Sequence, residues 1–138
     1  MTTPPRIFVD ANVFLRFFTL DDQGQTARAE RLFKRAKTGE VTLVTGPPVL
    51  FELAWTLRSA YAQTKAGVVQ TLSAILALPN LELTDRRLVD DAVALTRSSG
   101  QEFADAYIAA SLSSAGAGEL ATFNRRHFGR LGTPLHAL

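Results

Sequence analysis

The stretch Arg6-Ile7-Phe8-Val9-Asp10-Ala11-Asn12-Val13-Phe14-Leu15 constrains the fold of this chain more than any other. Three apolar residues, two of them β-branched, run into a carboxylate and then into a new apolar segment. The pattern predicts a buried strand ending at Asp10 and a turn into a helix. A carboxylate at the carboxyl end of a buried strand stands where open α/β sheets place their ligand crevices. Aspartate is also a frequent helix cap. From this stretch alone both roles are open.

Past that strand, Val13 to Leu20 reads as a short helix ending before Asp21-Asp22. A second helix runs from Thr26, with Ala29, Leu32, Phe33 and Ala36 on one face and Gly39 at the expected C-terminal cap. Val41-Thr42-Leu43-Val44 is a second short strand, bounded by Gly46-Pro47-Pro48. The prolines open a third helix, as proline does at a first helical turn. Its apolar stripe is Leu50, Leu53, Ala54, Leu57 and Tyr61. Glu52 lies about 200° round the wheel from Leu50 at about 100° per residue. It is either plain surface or faces a polar site near the helix start. Phe51 and Trp55 also lie off the stripe, two large aromatics in need of cover.

Ala66 to Leu78 predicts a fourth helix with Val68, Leu72, Ile75 and Leu76 inside, stopped by Pro79-Asn80. Leu81-Glu82-Leu83 is a third strand. Thr84 or Asp85 caps a fifth helix carrying Leu88, Ala92 and Leu95, ended by Gly100. Residues 102–115 form a helix that is apolar or small on nearly every side beyond its first turn, the pattern of a helix buried centrally. Glu102 and Asp105 share one face at its start. First-turn acids favour the helix dipole, but a buried helix has little surface on which to leave a charge idle, so a polar pocket is expected there. Glu119-Leu120-Ala121-Thr122-Phe123 reads as a fourth strand ending at Asn124, and residues 134–138 as a last edge strand. Strands separated by helices give an α/β domain with a mainly parallel sheet, right-handed crossovers and a site at the strand carboxyl ends. Without internal repeats or a dividing linker, residues 1–138 read as a single domain.

Composition narrows the chemistry. The 46% apolar and 20% charged residues describe an ordinary soluble globular chain. The absence of cysteine removes disulfides, thiolate catalysis and Cys-based zinc sites, and suits a reducing compartment. Neither a signal peptide pattern at Met1-Thr2-Thr3-Pro4-Pro5 nor a membrane-length apolar run is visible, so a cytoplasmic protein is the expectation. Fifteen basic against thirteen acidic residues leave a net charge of +2, too small to imply nucleic-acid binding by itself.

Asp10, Glu52, Asp105 with Glu102, and Asn124 all fall at element ends that can converge on one crevice. Several carboxylates in one pocket repel each other unless a cation neutralises them. Oxygen donors without His or Cys favour Mg²⁺ or Mn²⁺ over zinc. An ion so held is the usual equipment for hydrolysing a phosphodiester. The chain has no P-loop and no Gly-x-Ser-x-Gly elbow. A haloacid-dehalogenase-type phosphatase would need an aspartate where Asn12 stands. His127 and His136 lack metal-pair spacing and read as surface residues.

Together these residues resemble the PIN-domain ribonucleases, and most closely the VapC-type toxins of type II toxin–antitoxin pairs. The resemblance runs through Val9-Asp10-Ala11-Asn12-Val13, Arg16 and Asp21-Asp22, through Val49-Leu50-Phe51-Glu52-Leu53, through Glu102-Phe103-Ala104-Asp105-Ala106-Tyr107-Ile108-Ala109-Ala110, and through Leu120-Ala121-Thr122-Phe123-Asn124. It implies a PIN-like three-layer α/β/α domain around a mainly parallel sheet of four to five strands. Asp10, Glu52 and Asp105 match the family's catalytic, metal-binding acids, and Asn12 and Thr122 match residues that support the site. Asn124 stands where the family usually carries another aspartate, and Glu102 is a candidate to make up that charge.

The function so implied is a Mg²⁺- or Mn²⁺-dependent endoribonuclease acting on RNA, a homodimer whose site a cognate antitoxin blocks. Phe51 and Trp55 are then candidates for the dimer or antitoxin surface, and Arg125 and Arg126 for phosphate contacts. The competing reading is a catalytically weakened PIN fold that acts by binding RNA or protein, which Asn124 favours. A hydrolase of small phosphoesters is a more remote third.

Overall fold

The computed structural model describes residues 2–138. Strand β1 (Arg6–Phe8) leads into helix α1 (Ala11–Thr19), then α2 (Gln23–Lys37) and strand β2 (Thr42–Thr45). Helices α3 (Pro47–Ser59) and α4 (Lys65–Leu76) precede strand β3 (Leu81–Leu83). Helices α5 (Arg86–Ser99), α6 (Phe103–Ala115) and α7 (Arg125–Arg130) complete the chain. The strands form one parallel sheet in the order β1-β2-β3, with Ile7 opposite Leu43 and Leu43 opposite Leu81. The architecture is therefore the expected α/β type.

The core explains why these segments become these elements. Phe14 and Leu15 of α1, Leu43 of β2 and Leu50, Leu53 and Leu57 of α3 are buried, the last three on the stripe that sequence periodicity picked out. Phe14 stacks on Phe33 of α2 with ring centroids 5.8 Å apart. The buried Thr26 hydroxyl donates to the Arg16 carbonyl at 2.7 Å and ties α2 back to α1.

The strand ends meet in one compact junction. Val9 N donates to Val44 O at 2.8 Å, and the buried Thr45 hydroxyl donates to Val9 O at 3.0 Å. Thr84 N in turn donates to Thr45 O at 3.1 Å. Gly46 lies close beside it: a Cβ there would stand 2.6 Å from the Thr84 hydroxyl, which would have to turn away. From this junction Asp10 turns into α1 and Pro47 opens α3.

Four expectations are corrected. The sheet has three strands rather than four to five. Residues 119–123 and 134–138 meet each other in a single parallel bridge, Leu120 with Leu135, and do not join β1. The extended stretch is cut short because the Thr122 hydroxyl accepts from Asn124 N at 3.0 Å, a local side-chain turn that competes with pairing. Phe123 is left 93% exposed.

Second, helix α6 is not centrally buried. Only Phe103 and Ala106 are buried in it, and Ile108 is 44% exposed. Its even run of Ala and Ser gives little periodicity, yet such small side chains stand at a surface at little cost. Third, Asp85 occupies the cap position of α5 in a left-handed conformation and its side chain caps nothing. The buried face of α5 is Val89, Ala92, Val93 and Thr96, with Leu88 and Leu95 only half-buried at its flank. Fourth, Phe51 needs no partner molecule for cover: its ring packs on Phe103 and Tyr107 at centroid distances of 5.5 and 4.9 Å.

Between α1 and α2, Asp21 accepts from Tyr61 Oη at 2.5 Å, from Arg16 Nη1 at 2.9 Å and from Thr19 Oγ1 at 3.0 Å. These bonds, that of Tyr61 foremost, hold the Asp21 carboxyl below the usual carboxylate range. A lowered folded pKa gives stability that is present above the unfolded value of about 3.9 and lost as pH falls through the folded value. Tyr61→Phe therefore raises the Asp21 titration and flattens the loss of stability on acidification. Carboxyl-carbon NMR of Asp21 and urea midpoints against pH read both, and an unmoved Asp21 titration contradicts the arrangement. In the core, Leu53→Ala costs about 2–5 kcal/mol. Ile108→Ala costs under about 1 kcal/mol by the same urea measurement if α6 is a surface helix.

Candidate functional site

Asp10 follows directly on the clamped Val9. Its Oδ1 accepts from Ala11 N at 2.8 Å, so it is the N-cap of α1, and Oδ2 is left for another partner. The two roles left open by the sequence are thus compatible. Asn12, two residues on, is exposed and lines a shallow cleft with Arg16, Gln25 and Arg28. Glu52, in the second turn of α3, is exposed and makes no hydrogen bond or ion pair among the described residues.

Asp105 lies in the first turn of α6 with its side chain 22% exposed. Oδ2 stands 3.7 Å from Nδ1 of His127, on α7. His127 is fixed by Asn124, which caps α7: Asn124 Oδ1 accepts from His127 N at 3.4 Å, and its Nδ2 is 3.1 Å from His127 Nδ1. Sequence reasoning read His127 as a surface residue, and it is exposed, but missed its approach to Asp105. The signal that could have found it is its place three residues after a capping Asn, on the same turn. Thr122 contributes at one remove, through its bond to Asn124 N.

Glu102 has a different fate from Asp105, although both lie at the start of α6. It takes the cap position without capping, because Arg58 holds it: Nε and Nη2 donate to Oε1 at 3.1 and 3.0 Å. Arg58 Nη1 is anchored on Gln63 O at 2.7 Å. With its charge committed to a guanidinium, Glu102 is poorly suited to replace the aspartate that Asn124 lacks. Arg125 donates to His136 O at 3.2 Å, and both Arg125 and Arg126 are exposed on α7.

A cleft of about 470 Å³ opens beside Asp105, between α3 and the start of α6. Phe51, Trp55, Arg58, Glu102 and Phe103 line it, and Trp55 is 73% exposed. Burial, followed by the charge of Asp85, pushes the neighbouring Tyr107 hydroxyl up from its ordinary pKa, so that ring stays neutral.

Asp105, Asn124 and His127 are therefore brought together, as are Glu102 and Asp105. Asp10, Glu52 and Asp105 are not: among the described residues no three His, Cys, Asp or Glu side chains stand close enough to hold a metal ion. The donors suit a hard divalent cation in chemistry but do not fit it in position. No described helix is long and apolar enough to cross a membrane.

Comparison with curated proteins matches none of them. The PIN domain family, whose members are in general metal-dependent nucleases, matches residues 7–133, and the chain belongs to that family.

Proposed function

We propose that this protein is an endoribonuclease dependent on Mg²⁺ or Mn²⁺, with Asp10, Glu52 and Asp105 as the metal-binding carboxylates. The observation that carries the proposal is the state of these acids in a PIN domain. Glu52 is uncommitted, Asp10 keeps one free oxygen, and Asp105 is recessed beside a cleft without an arginine or lysine to neutralise it. The bound ion would supply charge neutralisation at the phosphodiester and an activated water. Holding it requires the three acids to draw together from the positions described above.

The protein itself contributes the recess beside Asp105, a His127 held by Asn124 and standing 3.7 Å from the Asp105 carboxylate, and Arg58, which removes the competing charge of Glu102. Arg125 and Arg126 are placed to meet backbone phosphates. The resemblance of the motifs extends the reading to a cytoplasmic toxin of a toxin–antitoxin pair, a homodimer folded from 1–138 as one domain and blocked by its antitoxin. The second reading, a PIN fold that binds RNA or protein with weakened catalysis, is favoured by Asn124 and by the separation of the acids.

Asp10→Asn and Asp105→Asn each leave the protein folded and lower metal-dependent RNA cleavage by more than the roughly 10–100-fold that outer-shell partners of a metal cost. Cleavage assays with circular dichroism on the same preparations check this, and undiminished cleavage by folded Asp10→Asn overturns the assignment. Asn124→Asp keeps the cap of α7, because a carboxylate accepts the same bond from His127 N. It tightens Mn²⁺ binding measured by calorimetry if position 124 faces the ion. Unchanged Mn²⁺ affinity would remove Asn124 from the site.

A further inference from the structure

We infer that the cleft between α3 and α6 is a subsite for one unpaired RNA base, with Trp55 as its stacking platform. This rests on the ribonuclease reading above and names the part of the substrate that lies next to Asp105.

Trp55 is the chain's single tryptophan, and its large indole is left 73% exposed on α3. It does not stand on open surface. It borders a recess of about 470 Å³, within the roughly 300–1,000 Å³ of small-ligand sites. The recess has aromatic walls in Phe51 and Phe103, a guanidinium in Arg58, and carboxylates in Glu102 and Asp105. Flat apolar faces with a few donors and acceptors at the edge are what a nucleobase needs, and single-stranded RNA is read by stacking on aromatic side chains and arginine planes.

The apolar character of this face also limits the alternatives. The other exposed large hydrophobics, Phe8, Leu20, Ile108, Phe123 and Leu138, do not line the cleft. Trp55 is therefore a lone anchor beside a recess, too small an apolar stripe to seat an amphipathic helix through repeated contacts. The cleft is continuous with Asp105, one of the proposed metal ligands, so a base bound there belongs to a nucleotide next to the phosphodiester under attack. The Arg58–Glu102 pair holds the edge groups in place, and both charges cancel within the recess. That suits a neutral base and leaves phosphate binding to other residues.

Because Trp55 is the only indole, its fluorescence reports on this cleft alone. The full-length protein is titrated in EDTA, so that nothing is cleaved, with a single-stranded RNA of mixed sequence and with the same backbone carrying abasic positions. The base-bearing strand quenches the emission saturably and the abasic strand does not. Trp55→Ala weakens binding of the base-bearing strand by roughly 5- to 150-fold, the usual worth of one stacked base, whereas Trp55→Phe keeps most of it. With metal, Trp55→Ala raises KM by a similar factor and leaves kcat in place. Emission that ignores RNA, together with unchanged KM in Trp55→Ala, overturns the subsite even if Asp10-dependent cleavage is intact. Emission that changes with protein concentration and not with RNA overturns it too, and makes the patch a protein contact. Base-dependent quenching without any cleavage keeps the subsite and removes the ribonuclease reading instead.

Discussion

The hydrogen bond from the buried Thr45 hydroxyl to the Val9 carbonyl is the constraint on which the rest of the structure turns. It joins the carboxyl ends of β1 and β2 at the point where both chains leave the sheet, and Thr84 N extends the same junction to β3. A typical bond of this kind contributes about 0.5–1.5 kcal/mol, but leaving a buried carbonyl without its partner costs about 1–3 kcal/mol. The junction therefore matters less as a source of stability than as a restriction on geometry. It sets where Asp10 leaves β1 and where Gly46, pressed against the Thr84 hydroxyl, hands the chain to α3. The position of Asp10 is thus a consequence of the sheet.

Much of this was legible in the amino-acid sequence because it follows from periodicity and punctuation. The Leu50-Leu53-Ala54-Leu57 stripe and Gly100 each obey a rule that acts over a few residues. The Ile7-Phe8-Val9 run gives the expected strand but not a buried one: β1 ends at Phe8, lies at the sheet edge and leaves Phe8 62% exposed. The errors arise where composition imitates burial or where a local bond outbids a distant one. Ala and Ser along α6 look like a buried helix because they lack charge, yet smallness is equally compatible with a surface. The segment 119–123 carries strand-forming residues, but the Thr122 side chain engages the backbone of Asn124 two residues later. No pattern of alternation reveals which of those two competitors wins. In α5 the periodicity was right and Ala92 is buried as expected, but the buried face is centred on Val89, Val93 and Thr96, with Leu88 and Leu95 at its flank.

The site was legible as a set of residue types rather than as an arrangement. Element ends could be inferred, so Asp10 at a strand end and Asp105 in a first helical turn lie where expected. Whether they meet is a matter of tertiary packing, which no pattern local to either segment encodes. With β1 as an edge strand, Asn124 serves Asp105 through His127 and has no part in holding Asp10. The spacing of three between Asn124 and His127 marks His127 as fixed by a cap, but does not name Asp105 as the carboxylate it meets.

The two acids at the start of α6 show how partners, and not residue type, decide what a carboxylate can do. Glu102 and Asp105 are three residues apart on one helix face and would repel each other if both were left free. Arg58, reaching across from α3, takes Glu102 with two nitrogens and removes that repulsion. Both side chains of the pair are more than a third exposed, so its contribution to stability is about 0.2–1 kcal/mol at most. Its larger effect is on Asp105. The ion pair balances the charge of Glu102 while giving Asp105 no arginine or lysine partner of its own. The carboxylate that can accept a cation is therefore the one whose neighbour has already been neutralised, and the Arg58 that does this also forms one wall of the cleft beneath Trp55.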